Sequence, residues 1–181
     1  MAQLEAEDRR AAGIPGHPPK LVVVMGVSGT GKSTVGALLA AALGVPYAEA
    51  DDFHSPAGIA KMTAGVPLDD ADRAPWLDAI GDWARRHLAG GGVVSCSALK
   101  RVYRDRLRAA APGLFFLHLT GDPALIAERM AARQGHFMTG RLLDSQLATL
   151  EPLQPDESGT ALDVTARPAA LIEQALAVLS G

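Results

Sequence analysis

The feature that most constrains this chain is a glycine-rich turn between an apolar segment and an amphipathic one. Residues 26–33 read Gly-Val-Ser-Gly-Thr-Gly-Lys-Ser and match the pattern G-x-x-x-x-G-K-[ST]. An apolar, β-branched run over residues 21–25 precedes the turn, and apolar side chains recur at helical spacing over residues 32–43 after it. Glycines let successive backbone N–H groups point at an anion, and a helix N-terminus adds partial positive charge there. Strand, turn and helix together predict a phosphate-binding loop.

The residue types in this loop match the chemistry of a nucleotide site. We expect Lys32 to reach the β- and γ-phosphates, and the hydroxyl of Ser33 to bind Mg²⁺. The residues expected to surround the nucleotide phosphates are Gly26, Val27, Ser28, Gly29, Thr30, Gly31, Lys32, Ser33 and Thr34. The motif predicts nucleotide binding and leaves open what the nucleotide is used for.

Strand and helix patterns alternate along the rest of the chain. Apolar runs predict strands at residues 21–25, 45–50, 93–96, 114–119 and 161–164. Helices are predicted at residues 32–43, 55–65, 74–89, 98–110, 122–133, 141–150 and 168–179. Repeated alternation with apolar strands predicts the α/β class, with a parallel sheet covered by helices on both faces.

Length and charge limit the other possibilities. The chain has 181 residues, which predicts one domain over residues 20–181. Residues 1–19 are punctuated by proline and glycine without a helical or strand period, and we expect a disordered leader there.

A net charge of −3 and 4% aromatic residues argue against nucleic-acid binding. No apolar run of about 18 residues is present, which argues against a membrane span. The single cysteine, Cys96, excludes an intramolecular disulfide and fits a reducing cytosol.

Three carboxylates follow the second predicted strand: Glu49, Asp51 and Asp52. Ligands of open α/β sheets bind outside the carboxyl ends of the strands. A carboxylate there can hold Mg²⁺ or accept the proton of a substrate hydroxyl, and Asp51 is the preferred candidate. Alternatively, these acids cap the next helix or simply face solvent.

A second polar cluster surrounds residues 134–140, which we predict to be a mobile lid over the nucleotide. Arg129, Arg133 and Arg141 flank the segment and could neutralise charge in the transition state, Arg133 more directly than Arg129. Alternatively, Arg129 and Arg133 form an exposed helical face near Glu128.

The remaining polar residues divide into candidates and structural residues. His54, Lys61 and Arg73 are candidate ligands, although each alone is more often a surface residue. His87, His118 and Cys96 are expected to be structural. A basic run on one predicted helix is expected to be mostly solvated: Lys100, Arg101, Arg104, Arg106 and Arg108.

Residues 21–179 resemble the gluconokinase family of small P-loop kinases through several motifs in order. Besides residues 26–34, these are residues 51–56 (Asp-Asp-Phe-His-Ser-Pro) with Lys61-Met62, and residues 65–77. Three further motifs complete the set: residues 96–100 (Cys-Ser-Ala-Leu-Lys) with Tyr103-Arg104, residues 135–138, and residues 142–146 with 149–151.

The resemblance implies phosphorylation of D-gluconate by ATP to 6-phosphogluconate. It implies a five-stranded parallel sheet, a mobile lid at about residues 133–141 and a homodimer. We expect Mg²⁺ as the cofactor from the phosphate-binding loop, and a cytoplasmic location from the single cysteine. It places Asp51, His54, Lys61 and Arg73 near gluconate, where Arg73 would grip the carboxylate and Asp51 would orient the terminal hydroxyl. Two segments depart from the family: Glu49-Ala50-Asp51 replaces Asp-Gly-Asp, and Thr139-Gly140-Arg141 replaces the usual lid residues.

Three other functions compete with this one. A shikimate kinase would carry its glycine triplet after the third strand, whereas residues 90–92 precede it here. A nucleoside monophosphate kinase would need a base-binding pocket, usually in a longer chain. A non-catalytic nucleotide-dependent switch would not need Lys32, Ser33, Asp51 and the lid arginines together.

Overall fold

The computed structural model describes residues 20–133 and 139–181. The strands are β1 (Leu21–Met25), β2 (Tyr47–Glu49), β3 (Gly92–Ser95), β4 (Phe115–Thr120) and β5 (Gly159–Asp163). The α-helices are α1 (Lys32–Leu43), α2 (Pro56–Thr63), α3 (Asp70–Arg86), α4 (Arg101–Ala110), α5 (Pro123–Ala132), α6 (Thr139–Thr149) and α7 (Pro168–Ser180). The predicted leader and residues 134–138 of the predicted lid lie outside the described residues.

The five strands form one parallel sheet in the order β2-β3-β1-β4-β5. The β1 strand is central, with Val23 opposite Val94 of β3 and Phe116 of β4. All of its residues are buried, as expected of a strand covered on both faces. This order puts the glycine-rich turn after β1 at the middle of the carboxyl edge of the sheet, where α/β proteins bind their ligands.

Helices cover both faces of the sheet, as predicted. On one face, α3 and α4 pack through Ile80 and Leu107 against Val23 and Phe116. On the other face, α1 and α7 pack through Leu39 and Ala175. A third, smaller apolar cluster at the carboxyl edge joins Val27 of the turn to α5 and α6, and its other buried members are Leu99, Ile126, Met130 and Leu143.

Predicted and observed boundaries agree for β1 and α1 and differ elsewhere for local reasons. The β2 strand begins at Tyr47, two residues later than predicted, and ends at Glu49, because a 3₁₀ turn takes up residues 50–53. The α3 helix begins at Asp70, four residues earlier than predicted. Asp69 caps it by accepting the N–H of Asp72, whose carboxylate in turn accepts the N–H of Asp69. Pro75 therefore lies within α3 instead of opening it. The α6 helix begins at Thr139, two residues before its predicted start.

The prediction that the basic run is mostly solvated is wrong for Arg104. Its side chain is 0% exposed and forms an ion pair with the equally buried Glu157, with Nε 2.6 Å from Oε1 and Nη2 3.0 Å from Oε2. The guanidinium also donates to the carbonyls of Ala98, Leu99 and Pro152, which satisfies its remaining N–H groups. Arg104 thereby joins α4 to the segment before β5 and to the segment after β3.

The other residues predicted to be structural lie as expected. His87 caps the end of α3, with Nδ1 2.8 Å from the carbonyl oxygen of Trp83. His118 is buried in β4, where burial and the nearby charge of Arg104 lower its pKa to about 4. Cys96 is a buried thiol directly after β3.

Candidate active site

The turn between β1 and α1 has the shape of a phosphate-binding loop. Gly29 and Gly31 adopt φ values of 84° and 89°, a region that favours glycine. At Gly26, a Cβ atom would lie 2.6 Å from the carbonyl oxygen of Leu119, so only glycine fits between β1 and β4 there. The buried Thr30 hydroxyl donates to the carbonyl of Val27 at 2.8 Å and closes the turn internally.

Lys32 stands in the first turn of α1 and folds back over the loop. Its Nζ donates to the carbonyl oxygen of Val27 at 3.0 Å. Burial lowers the pKa of this ammonium, while the nearby charges of Asp51 and Glu49 act in the opposite direction. The positive charge of Arg133 also reaches Lys32 and adds to the lowering of its pKa. The fold thus brings four charged side chains close enough for their charges to interact: Lys32, Glu49, Asp51 and Arg133.

A polar network fixes the start of α1 against β2 and β3. The Tyr47 hydroxyl donates to Glu49 and lies 2.9 Å from the hydroxyl oxygen of Ser95, which donates to the carbonyl of Lys32 at 2.9 Å. Burial, followed by the Glu49 carboxylate, raises the pKa of Tyr47 to about 12, so the phenol stays protonated as a donor. Glu49, one of the departures from the gluconokinase pattern, therefore accepts a hydrogen bond that positions it beside the loop.

The predicted metal residues lie on either side of this network. Ser33 and Thr34 are exposed in the first turn of α1, and the Ser33 hydroxyl interacts with Tyr47. Asp51 is 92% exposed on the 3₁₀ turn that follows β2. The Ser33 hydroxyl and the Asp51 carboxylate therefore supply oxygen atoms at the carboxyl edge of the sheet.

His54 is positioned by an aromatic stack. Its imidazole lies on the indole of Trp76, with ring centroids 4.7 Å apart and planes 5° apart. Trp76 is itself fixed, because it is buried in α3 and donates from Nε1 to the carbonyl of Ala50 at 2.7 Å. The Nε2 atom of His54 lies 3.9 Å from Asp51. Burial is the main reason that the pKa of His54 is lowered, which keeps the imidazole neutral at pH 7.

Arg73 lies on α3 beside Tyr103 of α4. Its Nη1 donates to the phenolic oxygen of Tyr103 at 3.4 Å, and the charge of Arg73 reaches His54 and contributes to lowering its pKa. The Tyr103 hydroxyl donates to Asp70 at 2.5 Å, and Lys100 pairs with the same carboxylate at 3.1 Å. Arg73 and His54 are therefore brought together, with Asp51 next to His54.

Lys61 is placed differently from the other predicted substrate residues. Its Nζ lies 2.6 and 2.8 Å from the two carboxylate oxygens of Asp72, near the start of α3. This pair raises the pKa of Lys61 and lowers that of Asp72. The ion pair ties α2 to α3 and occupies the Lys61 ammonium.

The two predicted lid arginines differ in their surroundings. Arg129 donates from Nη2 to the carbonyl of Val164 at 2.8 Å, just beyond the end of β5. Arg133 is exposed at the end of α5 and interacts electrostatically with Lys32. The side chain of Arg129 is thus engaged at β5, whereas the charge of Arg133 acts on Lys32 in the phosphate-binding loop.

Sequence reasoning missed one residue that contacts the loop directly. Gln146 of α6 accepts the backbone N–H of Ser28 with its Oε1 at 2.6 Å. A signal for it exists in the sequence, because Gln146 occupies the same helical stripe as Leu143, Leu147 and Leu150. A polar side chain within an apolar stripe needs a partner, and here the partner is the loop.

Comparisons with known proteins show which proteins this chain is similar to. A family model described as "Shikimate kinase" matches residues 28–141. A gluconokinase of Gluconobacter oxydans is 49% identical over 144 residues, covering 78% of this chain and 81% of that protein. A solved gluconokinase of Sinorhizobium meliloti is 50% identical, with a TM-score of 0.81 over 91% of this chain and 93% of that chain.

A solved structure with much lower sequence identity has the same fold. The shikimate kinase of Aquifex aeolicus is 14% identical but has a TM-score of 0.57 over 88% of this chain and 96% of that chain. This confirms the predicted fold class, a P-loop kinase with a five-stranded parallel sheet. At 49% identity across most of both chains, the comparison confirms the resemblance found in the sequence, and this protein belongs to the gluconokinase family.

Proposed function

We propose that this protein transfers the γ-phosphate of ATP to D-gluconate and releases 6-phospho-D-gluconate and ADP. The observation that carries the proposal is the position of Arg73 and His54 at the carboxyl edge, in a chain that belongs to the gluconokinase family. The reaction belongs to carbohydrate acid metabolism and would feed the pentose phosphate or Entner–Doudoroff route.

Gluconate has chemically different ends, and the proposed site has a group for each of them. Arg73 presents a planar guanidinium that can bind the carboxylate through two parallel hydrogen bonds. Asp51 is close enough to His54 for both to orient the hydroxyl chain. We assign to Asp51 the orientation of the terminal hydroxyl and the acceptance of its proton late in the reaction.

The phosphoryl transfer itself depends on position and charge. The terminal hydroxyl oxygen of gluconate forms a bond to the γ-phosphorus while the bond from that phosphorus to the β–γ bridging oxygen breaks, and ADP leaves. Lys32 moves its ammonium from the Val27 carbonyl to the β- and γ-phosphates, with the N–H groups of the loop around them. Arg133 is the arginine that we place against the transferred phosphate, with Arg129 in a supporting position.

The donor set at this edge suits Mg²⁺. A hydroxyl on Ser33 and a carboxylate on Asp51 are hard oxygen ligands, and Mg²⁺ is usually held by one or two such groups together with substrate phosphates and water. Within residues 20–133 and 139–181 no cluster of three or more acidic, histidine or cysteine side chains forms a metal cage. When bound, Mg²⁺ supplies charge neutralisation at the β- and γ-phosphates.

We assign Lys61 to the substrate site through its ion pair with Asp72, which sets the position of α2 beside Arg73.

We also propose a cytoplasmic homodimer, on the family resemblance. Sedimentation or light scattering at several protein concentrations tests the dimer. No helix in the described part of the chain is long and apolar enough to cross a membrane.

The proposed reaction is tested by identifying its product. Purified protein is incubated with ATP, Mg²⁺ and D-gluconate, and the mixture is analysed by ³¹P NMR. We expect ADP and a phosphomonoester signal coupled to the C6 protons of gluconate, in equal amounts. Phosphate on another carbon, or inorganic phosphate alone, would contradict the proposal.

A further inference from the structure

The peptide group between Val27 and Ser28 is held at both of its ends. Its carbonyl oxygen accepts from the Thr30 hydroxyl at 2.8 Å and from Nζ of Lys32 at 3.0 Å. Its N–H donates to Oε1 of Gln146 at 2.6 Å. Two of these partners belong to the loop and α1, whereas Gln146 comes from α6, 118 residues further along the chain.

The planarity of the peptide group couples these contacts. The N–H and the C=O of one peptide group point in opposite directions, so a partner that fixes the N–H also fixes the direction of the carbonyl. Hydrogen bonds at the two ends of one peptide group also polarise each other. Gln146 therefore constrains the direction of the Val27 carbonyl, which accepts the ammonium of Lys32.

The packing around this contact keeps Gln146 in register. Val27 is 2% exposed and lies in the apolar cluster at the carboxyl edge, against Leu143 of α6. Leu147 of the same helix and Leu150, which directly follows the helix, pack against this cluster. The loop next to this contact contains glycines at positions 26 and 29 with positive φ, which gives the backbone few side-chain restraints of its own.

We propose that Gln146 is a positioning residue for nucleotide binding: it holds the Val27–Ser28 peptide group so that the loop and Lys32 are arranged before the phosphates arrive. Pre-arrangement lowers the cost of ordering the loop on binding, so its loss weakens the affinity for ATP. The inference rests on the proposed use of ATP but not on the identity of the phosphate acceptor. It assigns Gln146 no contact with gluconate.

The test compares two variants of neighbouring residues on α6. Gln146→Met keeps the length of the side chain and removes the hydrogen-bonding amide. Leu147→Ala loosens the packing of the same helix and leaves the amide of Gln146 in place. The dissociation constant for ATP is measured by calorimetry without gluconate, the KM for gluconate is measured at saturating ATP, and each Tm is recorded.

We expect Gln146→Met to bind ATP about 3- to 10-fold more weakly, as the loss of one neutral hydrogen bond implies. Its gluconate KM should stay within about twofold of the wild type. Leu147→Ala should lower the Tm while its ATP dissociation constant stays within about twofold. An unchanged ATP dissociation constant in Gln146→Met, or an equal weakening in Leu147→Ala, would overturn the proposal.

Amide hydrogen exchange of the wild-type protein tests the same contact without a variant. The proposal requires the Ser28 N–H to be protected from exchange in the absence of nucleotide, and rapid exchange there would contradict it. Wild-type protein that does not bind ATP at all would count against the proposed function. Normal ATP binding by wild type and Gln146→Met alike would count against this inference alone.

Discussion

The guanidinium of Arg73 sits beside the ring of Tyr103, with its central carbon 5.7 Å from the ring centroid and Nη1 3.4 Å from the phenolic oxygen. The acidic residues near Arg73 in sequence have other partners, since Asp70 binds Tyr103 and Lys100, and Asp72 binds Lys61. Among the described residues, no carboxylate lies within ion-pair distance of Arg73. Its charge is therefore not taken up by an ion pair among these residues, as the proposed contact with the gluconate carboxylate requires.

The first prediction follows from this position. Arg73→Lys keeps the charge but loses the planar fork, so a two-point grip on a carboxylate becomes a single contact. Losing one charged hydrogen bond costs about 1.5–3 kcal/mol, which raises the KM for gluconate roughly 10- to 100-fold at saturating ATP. Arg85→Lys is the matched control, because Arg85 lies on the same helix in an exposed pair with Asp82. A change below about twofold in Arg73→Lys would remove Arg73 from the gluconate site.

Lys32→Met is expected to abolish phosphoryl transfer while the protein stays folded. The ammonium reaches its position by folding over the loop to the Val27 carbonyl, and it belongs to none of the apolar clusters. Its charge is expected to stabilise the transition state by several kcal/mol, so kcat should fall by at least about 100-fold. Steady-state kinetics and a thermal melt are measured on the same preparation. Substantial turnover with an unchanged melt would show that this loop does not carry the chemistry.

Breaking the Arg104–Glu157 pair by removing one partner is expected to destabilise the fold, because both side chains are fully buried. Arg104→Met leaves the Glu157 carboxylate buried without its partner, which costs about 3–5 kcal/mol in the free energy of unfolding. Arg106→Met is the control on the same helix, since Arg106 pairs with Asp78 at the surface and such a pair is worth about 0–1 kcal/mol. Urea denaturation measures both variants. Equal losses in the two would contradict the structural role of the buried pair.

Histidine 118 gives stability a defined pH dependence. Its pKa is lowered to about 4 in the folded protein, so it stays neutral while the unfolded chain takes up a proton below its ordinary pKa of about 6.5. The stabilising contribution of the neutral His118 to the free energy of unfolding is complete above about pH 6.5 and is lost as the pH falls toward 4. Between pH 7.5 and pH 5 the loss from this group is about 2 kcal/mol.

His118→Gln removes the titrating group, and its free energy of unfolding should fall less steeply than that of the wild type across this range. The comparison uses the slope against pH, because the substitution also changes packing within β4. Parallel slopes for the two proteins would show that His118 does not titrate as described.

The sequence predicted best the parts of the fold that short-range chemistry determines. Both β1 and α1 have the predicted bounds. An apolar β-branched run followed by a glycine turn defines β1, and helical periodicity that ends at Gly44 defines α1. The start of α3 was misplaced because Pro75 looks like an opening proline, whereas the Asp69–Asp72 capping box begins the helix earlier.

The parts that sequence did not predict depend on contacts between distant segments. The spread of basic residues around α4 predicts that they are mostly solvated. Arg104 nevertheless lies on the same stripe as Leu107 and pairs with Glu157, 53 residues away. Gln146 meets the loop in the same way. The predicted neighbourhood of Arg73 and His54 came from family motifs, and only the three-dimensional structure supplies Tyr103 and Trp76 as the surfaces that position them.

The choice of phosphate acceptor decides whether this protein phosphorylates gluconate. ADP release is measured in a coupled assay with ATP and Mg²⁺, and kcat/KM is compared for D-gluconate, shikimate and a panel of nucleoside monophosphates. We expect kcat/KM for gluconate to exceed that for every other acceptor by at least about 100-fold, or about 2.7 kcal/mol in transition-state binding. Higher kcat/KM for shikimate or a nucleoside monophosphate, or ATP binding without transfer to any acceptor, would contradict it.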